Sequence, residues 1–270
     1  MTTYGIIGVG QMGGAMAKAL RKKVDGSQIF LANRTREKAE TMAQTLGAVL
    51  SANEGAANCT YVFLAVKPQT MPGLLESLRA QFSARQDRFV LVSVAAGLDI
   101  ASLQAMAGGN YPVIRIMPNT PVSVGAGMCL YCVSPEVSLQ EKETLLDAIS
   151  EAGRFDEISE AQMNVGTTLT GCSPAFVSMF LEAMADGGVA CGLPRKKALE
   201  YAAQAIVGTA QLYLATGTHP GEMKDAVCSP GGSTIEGVRA LERAGFRSAV
   251  FEAVEAASAR GNALGQIGKK

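Results

Sequence analysis

Tyr4-Gly5-Ile6-Ile7-Gly8-Val9-Gly10-Gln11-Met12-Gly13-Gly14-Ala15-Met16 decides how this chain is read. An apolar run, Tyr4–Val9, has the character of a buried strand, and Gln11–Arg21 repeats its apolar residues at helical intervals. Between them Gly8-Val9-Gly10-Gln11-Met12-Gly13 has the spacing G-x-G-x-x-G. With 30 glycines in 270 residues, that spacing alone arises easily by chance. Between a strand and a helix it acquires a mechanism. The first glycine permits a tight turn, the second lets the backbone approach a pyrophosphate, and the third lets helix and strand pack closely. The free N–H groups and positive dipole end of the helix then face the phosphates. Gly8, Gly10, Gln11, Met12 and Gly13 are therefore candidate dinucleotide-binding residues.

Outward from this stretch, short apolar runs alternate with helical patterns. Gln28–Ala32, Thr60–Val66, Phe89–Val94 and Val113–Met117 read as strands, and Arg36–Leu46 as a helix. This alternation predicts an α/β fold, a parallel sheet covered by helices on both faces. Ligands of such sheets lie beyond the carboxyl ends of the strands, so the residues just after each run matter most. After the second strand stands Asn33-Arg34-Thr35-Arg36, with no Asp or Glu to bind ribose hydroxyls. Asn33 can donate hydrogen bonds and Arg34 can pair with a 2′-phosphate, which points to NADP(H) rather than NAD(H). Thr35 reads as a helix N-cap and Arg36 as a solvated charge. Asn53, Ala65, Val66, Lys67, Ala95 and Asn119 complete the cofactor-facing set. For Lys67 an exposed helix start remains an equal reading. Pro118 and Pro121 stiffen the loop around Asn119.

After about Ser159 strand patterns cease. Helices are expected from Ser173-Pro174 to about Cys191-Gly192, from Pro194 to about Thr216-Gly217, and near His219–Val227, Gly232–Glu242 and Phe246–Leu264. The chain thus divides into residues 1–158, a dinucleotide-binding domain, and 159–270, a helical domain for substrate and dimerisation. The tail from Gly265 to Lys270 reads as frayed. The two long Ala-rich helices are apolar around much of their girth, and a subunit interface is a natural place to bury them.

Composition narrows the classes. Lys plus Arg and Asp plus Glu number 24 each, so no net charge draws the chain to nucleic acid or an anionic membrane. The longest apolar stretch, about Cys172 to Leu193, contains Glu182 and Asp186, unlike a membrane span. No signal-peptide pattern precedes Tyr4, and a soluble cytoplasmic protein is expected. Cys129 and Cys132 lie three apart on a strand, which puts their thiols on opposite faces, and no second pair completes a zinc site. No metal is expected.

The single histidine, His219, sits at a helix start and reads as a cap or an interface residue. More telling is Val227-Cys228-Ser229-Pro230-Gly231-Gly232-Ser233-Thr234. A Ser-Pro-Gly-Gly turn opening a helix offers free N–H groups to a small carboxylate, here those of Gly231 and Gly232. Thr234 lies in the helix's first turn, where its hydroxyl serves either the same ligand or the helix end.

Taken in order, the Gly8–Gly13 fingerprint, Ala65-Val-Lys-Pro68, Ala95-Ala-Gly97, Arg115-Ile-Met-Pro-Asn-Thr-Pro121, Gly171-Cys-Ser-Pro174, Glu182-Ala-Met-Ala-Asp186, His219-Pro-Gly221 and Lys224–Glu236 resemble the pyrroline-5-carboxylate reductases over essentially the whole chain. Ser229-Pro-Gly-Gly-Ser-Thr-Ile235, followed by Leu241-Glu242 and Gly245-Phe-Arg247, is the most specific part. The resemblance implies a Rossmann-type domain followed by an all-helical one, and a dimer with interleaved helical domains. It also implies reduction of the C=N bond of L-pyrroline-5-carboxylate to L-proline with NADPH, less often NADH. By the same resemblance Val227, Ser229, Gly231, Gly232 and Thr234 hold substrate, and Thr234 stands near the imine nitrogen.

Two rivals fit less well. A hydroxyacid dehydrogenase of this plan would need a lysine base between the domains, and Glu160–Ser173 contains no lysine. A non-catalytic NADP sensor would have no need of an intact Ser229–Thr234 segment.

The cofactor reading has a direct test. Arg34→Ala should weaken NADPH binding by about 1.5–3 kcal/mol, the range for hydrogen bonds to charged groups, and leave NADH binding unchanged. Equal losses for both cofactors, measured by fluorescence titration, would show that Arg34 does not read the 2′-phosphate.

Overall fold

The computed structural model describes residues 1–267. Strands and helices alternate through the first part: β1 (Tyr4–Ile7), α1 (Gln11–Arg21), β2 (Ile29–Ala32), α2 (Arg36–Leu46), β3 (Val49–Leu50), the one-turn α3 (Asn53–Ala56), β4 (Tyr61–Leu64), α4 (Met71–Ala84), β5 (Val90–Ser93), α5 (Ile100–Ala107), β6 (Val113–Met117), β7 (Gly127–Val133), α6 (Leu139–Ala148), β8 (Gly153–Glu157) and α7 (Met163–Thr167). A π turn, Thr168–Cys172, leads into helices alone: α8 (Ser173–Ala190), α9 (Arg195–Thr216), α10 (Pro220–Ala226), α11 (Ser233–Arg243) and α12 (Phe246–Ile267). Two compact units result. One is Met1–Gly171 with the described residues from Ser258 on; the other is Cys172–Ala257. The expected frayed tail lies, from residue 268, outside the described residues, and α12 runs through Ile267.

In the first unit eight strands form one sheet in the order β3-β2-β1-β4-β5-β6-β7-β8. The strands up to β6 are parallel. The expected parallel sheet is present; beyond it β7 runs antiparallel to β6 and β8 parallel to β7. Side chains alternate between faces, as strand geometry requires. Ile6, Tyr61, Phe63, Val92 and Ile116 join Met16 and Leu20 of α1 and Leu145 of α6 on one face. Ile7, Val62, Leu64 and Leu91 join Leu75 and Phe82 of α4 and Leu103 of α5 on the other. Cys129 and Cys132 fall into these two opposite cores, as their spacing predicts. Burial pushes their thiols up to about 12 and about 11, so neither is a ready thiolate.

Helix ends tie the layers together. Ser138 and Glu141 form a reciprocal capping box at the start of α6, and Arg88 grips the same Glu141 carboxylate through two nitrogens at 2.7 and 3.0 Å. At the start of α5, Asp99 accepts from the Ser102 N–H, and Glu160 Oε1 accepts from the Ile100 N–H at 2.7 Å. That Glu160 oxygen lies 3.5 Å from the buried guanidinium of Arg115 on β6.

The second unit packs differently. In α8 and α9 only Ala185, Ala198 and Ala202 are buried, while Met179, Leu212 and Leu214 face outward. A Cβ placed on Gly188 would lie 3.2 Å from the Ala198 Cβ, so small residues let the two helices approach. No helix among the described residues is long and apolar enough to cross a membrane.

The Glu141 clamp predicts an acid-side stability effect. Hydrogen bonds from Arg88, and then from Ser138, hold the Glu141 carboxyl down at about 2, against 4.5 ordinarily. Because the folded value is depressed, its contribution is complete above about 4.5 and fades as pH falls toward 2. Glu141→Ala should cost about 1–2 kcal/mol at neutral pH, mostly as a lost helix cap. Urea unfolding at pH 7 and pH 3 measures this; a gap between wild type and variant that fails to narrow at pH 3 would contradict the assignment.

Candidate active site

The sheet order reverses direction at β1: β2 and β3 add on one side, β4 and its successors on the other. Chains leaving the carboxyl ends of β1 and β4 therefore diverge and open a crevice, the usual dinucleotide position in such sheets. The glycine run fits that place. Gly8 has φ +104°, and a Cβ there would stand 2.6 Å from the Ala65 carbonyl beyond β4. A Cβ on Gly13 would stand 1.9 Å from the Gly8 carbonyl. Around Gly10 nothing lies within 4 Å of such a carbon, which leaves open space in front of the helix. The Gly14 N–H bonds back to the Gly10 carbonyl at 2.8 Å. The N–H groups of Gln11, Met12 and Gly13 have no acceptor among the described residues. A cradle with open space before free donors fits a pyrophosphate.

Asn33, just past β2, is more occupied than its sequence suggests. Its Oδ1 accepts from the Val9 N–H at 3.1 Å, and Nδ2 donates to the Thr35 carbonyl at 2.9 Å. The amide thereby joins the glycine loop to the Arg34-Thr35 segment, and a role in shaping the site precedes any direct contact by its remaining N–H. Arg34 is exposed and without a partner among the described residues, free to meet a phosphate. Thr35 occupies the N-cap of α2 but makes no side-chain cap bond. Asn53 opens α3 beyond the end of β3, half-buried. Ala65 and Val66 are half-buried after β4, and Lys67 beside them is exposed. Ala95 follows β5, its N–H held by Ser93 Oγ at 3.3 Å.

At Asn119 a cofactor contact is expected, and the side chain is already engaged by the fold: Oδ1 accepts from the Met128 N–H and Nδ2 donates to the Thr170 carbonyl, both at 3.0 Å. It is buried, and it holds the loop after β6 in place.

In the second unit, His219 is the N-cap of α10, its Nδ1 accepting from the Gly221 N–H at 3.1 Å, as the sequence implied. The Ser229–Gly232 segment is a β-turn closed by the Gly232 N–H donating to the Ser229 carbonyl at 3.0 Å. Pro230 supplies the second position, and Gly231, at φ +67°, the third, where a type II turn demands positive φ. Closing the turn uses the Gly232 donor, so the expectation that Gly232 offers a free N–H is corrected. Gly232 is instead the N-cap of α11 and has no side chain to cap with. The N–H groups of Gly231, Ser233, Thr234 and Ile235 have no acceptor among the described residues. Sequence reading missed Ser233 and Ile235 as donors, though a helix beginning at Gly232 would have exposed them. Thr234 is exposed with its hydroxyl unbound, and Val227 and Ser229 are exposed beside it. The arrangement offers a cluster of N–H donors at a positive helix end, with one hydroxyl in reach. No group of residues suited to a metal ion occurs among the described residues.

Comparison with known proteins bears on both units. A family model described as pyrroline-5-carboxylate reductase dimerisation matches residues 160–264, and one for an NADP oxidoreductase, coenzyme F420-dependent, matches residues 3–97. The pyrroline-5-carboxylate reductase of Escherichia coli K12 is 40% identical over 254 residues, covering 93% of each chain. That of Synechocystis is 39% identical, covering 97% of this chain and 98% of the relative. A solved Plasmodium falciparum pyrroline carboxylate reductase with NADP bound superposes with a TM-score of 0.86 at 31% identity over 98% of each chain. With whole-length identity at this level and both units matched, the chain belongs to the pyrroline-5-carboxylate reductase family.

Proposed function

We propose that the protein reduces the C=N bond of L-pyrroline-5-carboxylate to give L-proline, with NADPH as hydride donor. The observation that carries this reading is the Ser229–Thr234 turn, whose free N–H groups and unbound hydroxyl suit a small ring with a carboxylate and a nitrogen. The Gln11, Met12 and Gly13 N–H groups would bind the pyrophosphate and Arg34 the 2′-phosphate. Gly8, Gly10, Ala65, Val66, Lys67, Ala95 and Asn53 would border the cofactor, NADH being a weaker alternative. The Gly231, Ser233 and Thr234 N–H groups would hold the carboxylate, with Val227 and Ser229 flanking it. The Thr234 hydroxyl would bond the ring nitrogen. When bound, the nicotinamide supplies the hydride, and the protein supplies alignment, which can lower a barrier by roughly 7–11 kcal/mol. A protonated imine accepts hydride without a strong base, which accounts for a site that does not call on His219.

In this reading residues 1–158 bind the cofactor and residues 159–270 bind substrate and dimerise. The same reading takes the protein as an obligate homodimer with interleaved helical domains and sites completed at the interface, and the outward-facing Met179, Leu212, Leu214 and Phe251 support a surface buried between subunits. All six cysteines are free thiols, which suits a cytoplasmic setting.

Activity and Thr234 are tested together. Purified protein should oxidise NADPH only when the imine is present; folded protein inert toward the imine but active on a hydroxyacid overturns the proposal. Thr234→Ala should lower kcat and kcat/KM together by about 10- to 100-fold, since alignment by backbone and cofactor remains, with NADPH affinity unchanged. Unaltered turnover in a folded variant would remove Thr234 from the mechanism and leave the N–H cluster as the whole substrate site. For assembly, sedimentation velocity should give a dimer or a multiple of it; a fully active monomer contradicts the interface.

A further inference from the structure

Asn119 joins two backbone groups far apart in the sequence, and one of them lies close to a proline. In an α-helix the Thr170 carbonyl would accept from the N–H of residue 174. Residue 174 is Pro174, which has no N–H. That carbonyl, without its α-helical donor, sits within the π turn Thr168–Cys172, and Asn119 Nδ2 donates to it at 3.0 Å. On its other side Asn119 Oδ1 takes the Met128 N–H, also at 3.0 Å, where β7 begins. The side chain is buried, and only one orientation of the amide works. A flipped amide would set donor against donor and acceptor against acceptor.

The backbone of Asn119 occupies the carboxyl end of β6, on the β4–β5–β6 side of the crevice. Its carbonyl accepts from the Val122 N–H at 3.1 Å, between Pro118 and Pro121. Two prolines limit the loop's shape, and the amide anchors it at two points.

We propose that Asn119 is a positioning residue for hydride transfer, acting through the Pro118–Thr120 backbone, and that Pro174 is its structural counterpart because it frees the carbonyl Asn119 holds. This rests on the reductase reading above.

The decisive variant is Asn119→Asp. A carboxylate keeps the bond to the Met128 N–H but turns an oxygen toward the Thr170 carbonyl. Protonated, the same group donates an O–H there and restores both bonds. At pH 8 the variant should lose about 10- to 100-fold in kcat, the scale expected when alignment is disturbed. The primary isotope effect with 4-deuterated NADPH should rise, because hydride transfer becomes slower relative to product release. As pH falls kcat should recover relative to wild type, adding an ionisation that the wild-type profile lacks. NADPH affinity should stay within about threefold, since pyrophosphate and 2′-phosphate are held elsewhere.

A folded Asp variant with wild-type kcat at every pH, or one equally impaired at every pH, overturns the proposal. Should the Asp variant fail to fold, Asn119→Ser, too short to reach Thr170 and uncharged, must show the lower kcat and raised isotope effect; wild-type values in it overturn the proposal as well. If the wild-type enzyme itself shows no imine-dependent turnover, the reductase reading has failed instead.

Discussion

A helix must begin somewhere, and the first N–H groups of a helix have no partner inside it. Both regions proposed to face ligands in this protein are built on that constraint. At α1 a glycine run clears the space in front of three such groups. At α11 a Pro-Gly turn delivers the chain so that the groups from Ser233 to Ile235 remain uncapped. Elsewhere side chains close the same gap: Ser138 and Glu141 at α6, Asp99 and Glu160 at α5, His219 at α10. The starts of α2 and α9 also lack a side-chain cap, but those of α1 and α11 are the ones that would face a negatively charged partner in the reaction we propose.

The side chains around the cofactor crevice serve the backbone more than the ligand. Asn33 bonds the glycine loop to the Arg34-Thr35 segment, and Asn119 bonds the β6 loop to β7 and to the π turn. Each amide has one acceptor and two donors, so it can satisfy an N–H and a C=O at once. Neither Asp nor Thr does both at neutral pH with the same reach. A site that works by alignment requires this kind of bracing, because its reactive groups belong to the bound molecules.

Much of this was legible in the sequence. Apolar runs marked β1, β4, β5 and β6, because central parallel strands are buried on both faces and read as continuous hydrophobic stretches. Pro and Gly marked the ends of α8 and α9. Strand β8 was not legible: Gly153-Arg-Phe-Asp-Glu157 carries charges, as an edge strand exposed on one side does. Two-residue β3 is too short for any periodicity, and the reversed direction of β7 depends on a loop rather than on its own residues. Among site residues, the glycines were readable because steric need is local. The roles of Asn33 and Asn119 were not, since their partners lie 24 and 51 residues away. The engaged Gly232 N–H was readable in principle, because Ser-Pro-Gly-Gly is a turn sequence whose fourth residue donates.

The alanine seam between α8 and α9 inverts the usual map of mutational tolerance. In an ordinary domain the large apolar residues lie inside and resist change, while small ones on the surface accept it. Here the buried residues of the two helices are Ala185, Ala198 and Ala202, Gly188 lies against Ala198, and large residues such as Met179 and Leu214 are exposed. A single added methylene at Ala198 would force the helices apart, whereas outward positions such as Met179 or Leu214 answer only to whatever surface meets them. Divergence in this part of the chain should therefore spare its smallest side chains, while its bulkiest can change only together with the surface that covers them.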